Sequence, residues 1–185
     1  LLKNAKNTFM PLLKKKIGIL LLPIGVILFS CDHGISPVPL SSQQAGFSGK
    51  ITFIGSWPDS IKRTFVVVFK NPLLAPEDFN IFNIKFISQE IPFGTGVYYY
   101  STKDSSVIPG TLTFEPGEYA YVAVAQQSTD ELSLSRRDWF VAGVYYNAGD
   151  TSQPGKLVIP EDNFIRNIDI ICDFDHPPPQ PPGVN

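Results

Sequence analysis

The stretch Thr64-Phe65-Val66-Val67-Val68-Phe69-Lys70 decides how this chain is read. Successive side chains of a strand point to opposite faces, so Phe65, Val67 and Phe69 share one face and Val66 and Val68 the other. Five apolar residues in a row leave no wet face. β-branched and aromatic residues favour extended backbone, and seven residues is strand length rather than helix length. The segment is therefore expected to be a central strand, covered on both sides. Outward from it the pattern repeats. Short β-branched and aromatic runs stand at 50–54, 81–88, 97–101, 111–115, 119–126, 139–146, 156–159 and 164–174. Turn clusters separate them, among them Trp57-Pro58-Asp59-Ser60, Asn71-Pro72, Phe93-Gly94-Thr95-Gly96, Pro116-Gly117 and Asn147-Ala148-Gly149-Asp150. No long 3.6-residue period appears, and helical turns are expected only at 76–79 and 133–137. The reading is an all-β chain forming a single antiparallel β-sandwich with extended tails.

The run at 164–174 shows the clearest alternation. Phe164, Ile168, Ile170, Cys172 and Phe174 are expected to face a core. Asn167, Asp169, Asp173 and Asp175 face solvent with Ile165 and Ile171, and Arg166 breaks the apolar row near its start.

Composition agrees. Of 185 residues, 43% are hydrophobic and 17% charged, which supplies a core and excludes a highly charged disordered chain. Seventeen prolines and 14 glycines argue against a helical bundle. The net charge of −2 averages unlike parts. Five of the 15 basic residues precede Cys31 and all 17 acidic residues follow Ser30, so the part from Cys31 onward carries −7. With no basic run beyond Arg136-Arg137, that part has no footprint for nucleic acid.

The first 30 residues read differently. A basic stretch ends at Lys16, and an apolar run of 13 residues spans 17–29. A membrane span needs about 20 such residues, whereas the apolar core of a signal peptide needs about 7–15. Met10, just before the lysine cluster, is expected to be the translation start. Leu28-Phe29-Ser30-Cys31 resembles the lipobox of bacterial lipoproteins, although Phe29 is bulkier than usual there. That resemblance implies cleavage between Ser30 and Cys31 and acylation of Cys31. Two acyl signals on one residue suffice for stable anchoring. It implies export and attachment to a membrane of the cell envelope. Asp32 resembles an inner-membrane retention signal. Residues 31–46, poor in apolar side chains, are expected to be a flexible tether with a span of about 20 Å. The domain is placed at 47–175, and 176–185 is expected to be a disordered Pro-rich tail.

The order Gly49-Lys50-Ile51-Thr52-Phe53, Val66-Val67-Val68-Phe69 and Pro116-Gly117-Glu118-Tyr119 resembles prealbumin-like sandwiches, in particular carboxypeptidase-regulatory-like domains. Ile61-Lys62-Arg63-Thr64 stands where those domains open their second strand with a Pro-Leu-x-Gly-Ala-x-Val motif, so an immunoglobulin-like sandwich stays open. The resemblance implies a non-catalytic accessory or binding module.

Few residues carry reactive chemistry. Cys172, without an intramolecular partner, is expected to be a buried free thiol. The two histidines, His33 and His176, fall in the tails, so neither a Ser–His–Asp triad nor a zinc site has its ligands. Asp169, Asp173 and Asp175 share one face of the expected strand, where residues two apart lie about 6.8 Å from each other. They are weak candidates for a Ca²⁺ site or a carboxylate pair, against the plainer reading of a solvated face. Trp57, Tyr98, Tyr100 and Tyr145 are the candidate ligand-binding aromatics, with Tyr99 expected on the face opposite Tyr98 and Tyr100. No cofactor is expected. The functional expectation is a membrane-anchored, non-enzymatic binding or structural module with an envelope protein or glycan as partner. A carbohydrate-binding accessory lipoprotein is the alternative, and a carboxylate-dependent hydrolase the remote one.

Overall fold

The computed structural model describes residues 44–104 and 114–183, which fall within the unit Ser42–Asn185. Met10, the signal segment, Ser30, Cys31 and the tether up to position 43 lie outside the described residues, as do 105–113 and the last two residues. Among the described residues the strands are β1 (Gly46–Ile54), β2 (Arg63–Phe69), β3 (Ile84–Ile87), β4 (Val97–Ser101), β5 (Gly117–Tyr119), β6 (Tyr121–Gln127), β7 (Trp139–Val144), β8 (Leu157–Ile159), β9 (Phe164–Ile165) and β10 (Ile170–Asp173). Two short 3-10 turns stand at Pro76–Asp78 and Arg136–Asp138.

The fold is all-β, built as several sheets. One sheet has the order β10-β1-β4, with β9 also pairing β1. The second has the order β3-β2-β6-β7, and β5 and β8 form a two-stranded ribbon. The run 64–70 is β2, central in its sheet and buried along Thr64–Phe69. Pairing is mixed rather than wholly antiparallel. β1 runs antiparallel to β4 but parallel to both β9 and β10. Side-chain alternation is the same in both pairings, so sequence period cannot distinguish them.

The two sheets share one core. Phe47, Ile51 and Phe53 of β1, Ile170 and Cys172 of β10, Val66 and Val68 of β2 and Val122 and Val124 of β6 belong to a single buried cluster. Gly143 of β7 lies where β7 meets β10. A Cβ there would stand 2.6 Å from Cys172 Sγ and 2.7 Å from the Ile171 carbonyl oxygen, so only glycine permits the approach.

A second cluster covers the far side of the β3-β2-β6-β7 sheet. Phe65, Val67 and Phe69 of β2, Tyr121, Ala123 and Ala125 of β6, and Trp139 and Val141 of β7 pack with Leu73, with half-buried Phe79 and Tyr146 against them. This is why Phe65–Phe69 reads as an unbroken apolar run. Loop residues 71–83 supply much of the cover. Asn83 holds that loop in shape: its side chain accepts from the Asn71 N–H at 2.7 Å and donates to the Asp78 carbonyl at 2.9 Å.

The C-terminal segment is fixed at the edge of this sheet, and here the expectation of a disordered tail is corrected. Gln180 lies along the free edge of β7. Its Oε1 accepts from the Val141 N–H at 2.8 Å and its Nε2 donates to the Val141 carbonyl at 2.9 Å. One side-chain amide thus stands in for a neighbouring strand, which blunts an edge otherwise open to pairing. Pro181 is buried, and its carbonyl accepts from Arg136 at 2.9 Å. Arg136 also donates to the Trp139 carbonyl at 2.6 Å. It is itself buried, and desolvation lowers its pKa. Its cationic head is held by carbonyl dipoles at the seam between tail and sheet.

The expected strand 164–174 is also corrected: it is divided between β9 and β10. Asn167 takes a left-handed φ of 63°, a conformation that Asn tolerates better than most residues. On β1 the Lys50 N–H is taken at 2.8 Å by the Asp169 carboxylate instead of a backbone carbonyl. The Tyr100 hydroxyl donates to the Ile168 carbonyl at 2.6 Å. Gly49 lets this link close in, because a Cβ there would stand 1.9 Å from the Ile168 carbonyl oxygen. Smaller differences follow similar lines. The run 119–126 begins after Ala120 as β6, because Gly117–Tyr119 pairs with β8 in the separate ribbon. β3 starts at Ile84, because Asn80–Asn83 forms a turn capped by the Asn80 side chain.

Candidate functional site

The outer face of the β10-β1-β4 sheet has no second layer among the described residues. Strand register fixes its composition. Thr52 of β1 lies between Val97 of β4 and Ile171 of β10, Lys50 pairs with Tyr99, and Ile54 pairs with Asp173. Ile51, Phe53, Tyr100, Ile170 and Cys172 point the other way into the core. The outward set therefore brings Ile54, Val97, Tyr99 and Ile171 onto one face, and all four are exposed, Tyr99 by 74% and Ile171 by 63%. Single exposed apolar residues are ordinary; four on one flat sheet face form a patch.

The candidate aromatics fall elsewhere. Tyr100 is 3% exposed, and burial pushes its phenol pKa up. Tyr98 and Tyr145 are half-buried and pack against the shared core. Trp57 is half-buried among Phe53 at 4.6 Å, Phe93 at 5.3 Å and Phe174 at 5.4 Å, and its indole N–H donates to the Thr95 carbonyl at 3.2 Å. The tyrosine with the open ring is Tyr99. Alternation separates it from its neighbours in the sequence, but which parity faces out depends on pairing with β1. A signal was present: Lys50 alternates with core residues Ile51 and Phe53, and a lysine marks the wet face.

At one end of this face lies a shallow depression of about 380 Å³. Its floor is Ser48, Gly49 and Lys50 of β1. Tyr99 forms one wall, and Arg166, Asn167 and Asp169 of the β9–β10 link form the other. The division of the last strand thus builds this wall. Arg166 lies over the Phe164 ring, 5.9 Å from its centroid.

The three aspartates do not converge. Asp169 is held on the Lys50 N–H, while Asp173 accepts from the backbone N–H groups of Asp175 at 3.0 Å and His176 at 3.3 Å. The His176 ring, 3.2 Å from its other oxygen, is the largest cause holding Asp173 below the usual carboxylate range. Among the described residues no group of three His, Cys, Asp or Glu side chains is placed to hold a metal ion. Cys172 is buried and free, and desolvation pushes its thiol pKa up, the reverse of a reactive cysteine.

A second concavity, of about 470 Å³, lies between Leu73, Leu74 and Tyr121 on one side and Asn147, Asp150 and Lys156 on the other. Its charged rim is internally satisfied. Lys156 pairs with Glu118, and Asp150 accepts from the Ser152 hydroxyl at 2.6 Å, which lowers the carboxyl pKa. The sheet face, with Lys50 and Arg166 in no ion pair among the described residues, has more to offer a partner.

Among the described residues no helix is long and apolar enough to cross a membrane. No family model matches the chain, and neither a curated protein nor a solved structure matches it.

Proposed function

We propose that the chain is an exported lipoprotein, anchored through acylated Cys31, that presents a non-catalytic binding module in the bacterial cell envelope. The anchor rests on the lipobox-like Leu28-Phe29-Ser30-Cys31 after a basic and then apolar leader. Two sheets over one core support a sandwich of the prealbumin-like or immunoglobulin-like kind, altered by the parallel strands beside β1.

The observation that carries the binding role is the uncovered face of the β10-β1-β4 sheet. The other sheet buries its outer side, with Leu73 and Phe79 of the 71–83 loop packed against it. This one leaves Ile54, Val97, Tyr99 and Ile171 in water. Covering them on a partner removes apolar surface from water at about 25 cal/mol per Å².

Two measurements test the reading. Cys31→Ala is expected to release the protein from membranes or leave an unprocessed precursor; unchanged mass and membrane partitioning would defeat the anchor. A photo-crosslinking residue at Ile171, in cells, is expected to trap an envelope partner. The same residue at exposed Lys85 of the other sheet is not. Equal yields from both positions would defeat the binding face.

A further inference from the structure

The depression beside Tyr99 carries chemistry that the aliphatic part of the face lacks. Of the two tyrosines that line it, Tyr99 is 74% exposed, while Tyr100 is locked beneath the sheet by its bond to Ile168. Opposite the ring stand a guanidinium, a primary amide and a carboxylate, on Arg166, Asn167 and Asp169. Guanidinium groups only donate, carboxylates only accept, and amides do both. An aromatic face beside such a set suits a molecule with an apolar C–H surface and a rim of hydroxyl groups, which is a sugar ring. A peptide side chain would seek a deeper apolar pocket. The floor here is the polar and backbone surface of Ser48, Gly49 and Lys50.

The wall is held in place. Asp169 has one oxygen on the Lys50 N–H at 2.8 Å, which fixes its carboxylate and leaves the other oxygen to accept from a ligand. Ile168 between the wall residues is fixed by the Tyr100 hydroxyl and by its own N–H to the Ser48 carbonyl at 3.0 Å. Such pre-set groups lose little freedom on binding. The volume, about 380 Å³, lies within the range of about 300–1,000 Å³ usual for small-molecule sites.

Charge narrows the class. From Cys31 onward the chain carries −7, yet this depression holds two cations, Lys50 and Arg166, against the single carboxylate of Asp169. We propose that the depression between Tyr99 and the β9–β10 link binds an acidic saccharide, with a sugar ring against Tyr99, a uronate carboxylate on Arg166 and Lys50, and hydroxyl groups on Asp169 and Asn167. The proposal rests on the reading of this sheet face as the binding surface, and it names the ligand class.

The test is calorimetric titration of the detergent-solubilised full chain with oligomers of galacturonate, glucuronate and mannuronate, and with neutral oligomers of galactose and glucose. At least one uronate series is expected to bind saturably, at least tenfold more tightly than the neutral sugars, and more weakly as salt rises. Tyr99→Ala is expected to weaken binding more than tenfold while Tyr99→Phe retains it. Arg166→Gln is expected to remove the preference for the acid. Phe82→Ala, at an 86% exposed residue outside this face, leaves binding unchanged. No saturable binding by any uronate overturns the proposal, as does binding that Tyr99→Ala leaves intact. If partner capture from position 171 persists in that case, the binding face stands and only the saccharide falls. If both fail, the face itself is not a binding surface.

Discussion

The two sheets of this domain share a core yet treat their outer faces in opposite ways. On the β3-β2-β6-β7 sheet, Phe65, Val67, Tyr121, Ala123 and Val141 are buried in one cluster with Trp139, Leu73 and Phe79. On the β10-β1-β4 sheet, the equivalent outward positions hold Thr52, Ile54, Val97, Tyr99 and Ile171 with no described residue layered over them. The first face contributes stability. The second, uncovered among the described residues, contributes little to folding. Apolar side chains on a sheet therefore do not share one meaning, because what decides is whether the chain returns to cover them.

The largest expected effect falls on the covered face. Phe65→Ala should cost about 3–5 kcal/mol, the usual range for emptying a buried aromatic site. Ile171→Ala on the open face should stay within about 0.5 kcal/mol. Chemical denaturation of both variants measures the contrast directly, and similar losses would erase the distinction between the faces.

Arg136→Ala attacks the seam of the cover. It removes the donors to the Trp139 and Pro181 carbonyls and should cost about 3 kcal/mol, given about 1.5–3 kcal/mol for each hydrogen bond to a charged group and some recovery by water. It should also free the C-terminal segment and open the β7 edge. Hydrogen exchange at Val141, protected now by Gln180, reports that opening. Continued protection of Val141 in the variant would show that the segment docks without its arginine.

A smaller effect, of opposite sign, lies at the end of the shared core. Gln126 is wholly buried, and its Oε1 has no hydrogen-bond partner. Gln126→Met keeps the length and removes the stranded acceptor, so it should stabilise by about 1 kcal/mol. A loss in the same denaturation assay would show that the long Nε2 bond to the Thr64 hydroxyl, at 3.5 Å, outweighs the stranded acceptor.

The smallest effect depends on pH. Asp173 titrates below the usual carboxylate range in the folded protein, chiefly through His176. A depressed folded pKa adds stability that is whole above the unfolded value of about 4 and is lost as pH falls through the folded value. Wild type and Asp173→Asn should therefore differ in Tm near neutral pH and converge as the solution is acidified below about pH 4. A gap that stays constant on acidification would remove the carboxylate from the account.

Much of this was legible in the sequence. The β2 run and the alternation of Ile168, Ile170 and Cys172 announced strands and a buried thiol, because a period of two and β-branched side chains are local properties. The turn at Pro76–Asp78 was legible for the same reason, and the one expected at 133–137 falls slightly later, at Arg136–Asp138. The exposed tyrosine was not. Tyr98, Tyr99 and Tyr100 are chemically alike, and only the pairing of Lys50 with Tyr99 decides that the middle ring meets water. Nor was the wall opposite it. Residues 164–174 alternate as one strand on paper, and the break at Asn167 arises from Gly49, Lys50 and Tyr100, more than 60 positions away along the chain.

The sequence by itself determined the class of structure: extended backbone, a run with no wet face, and punctuation too frequent for long helices. It also determined the acidity of the part after Cys31 and the lone buried thiol. Only the tertiary structure decided that β9 and β10 lie parallel to β1, that Gln180 closes the β7 edge, and that one sheet face is covered while the other is bare among the described residues. Each of those outcomes depends on which distant segment packs against a given side chain, and local pattern holds no record of that. The apolar run of β2 says that something must cover it on both sides; it cannot say that Leu73 and Phe79 of the following loop help to do so.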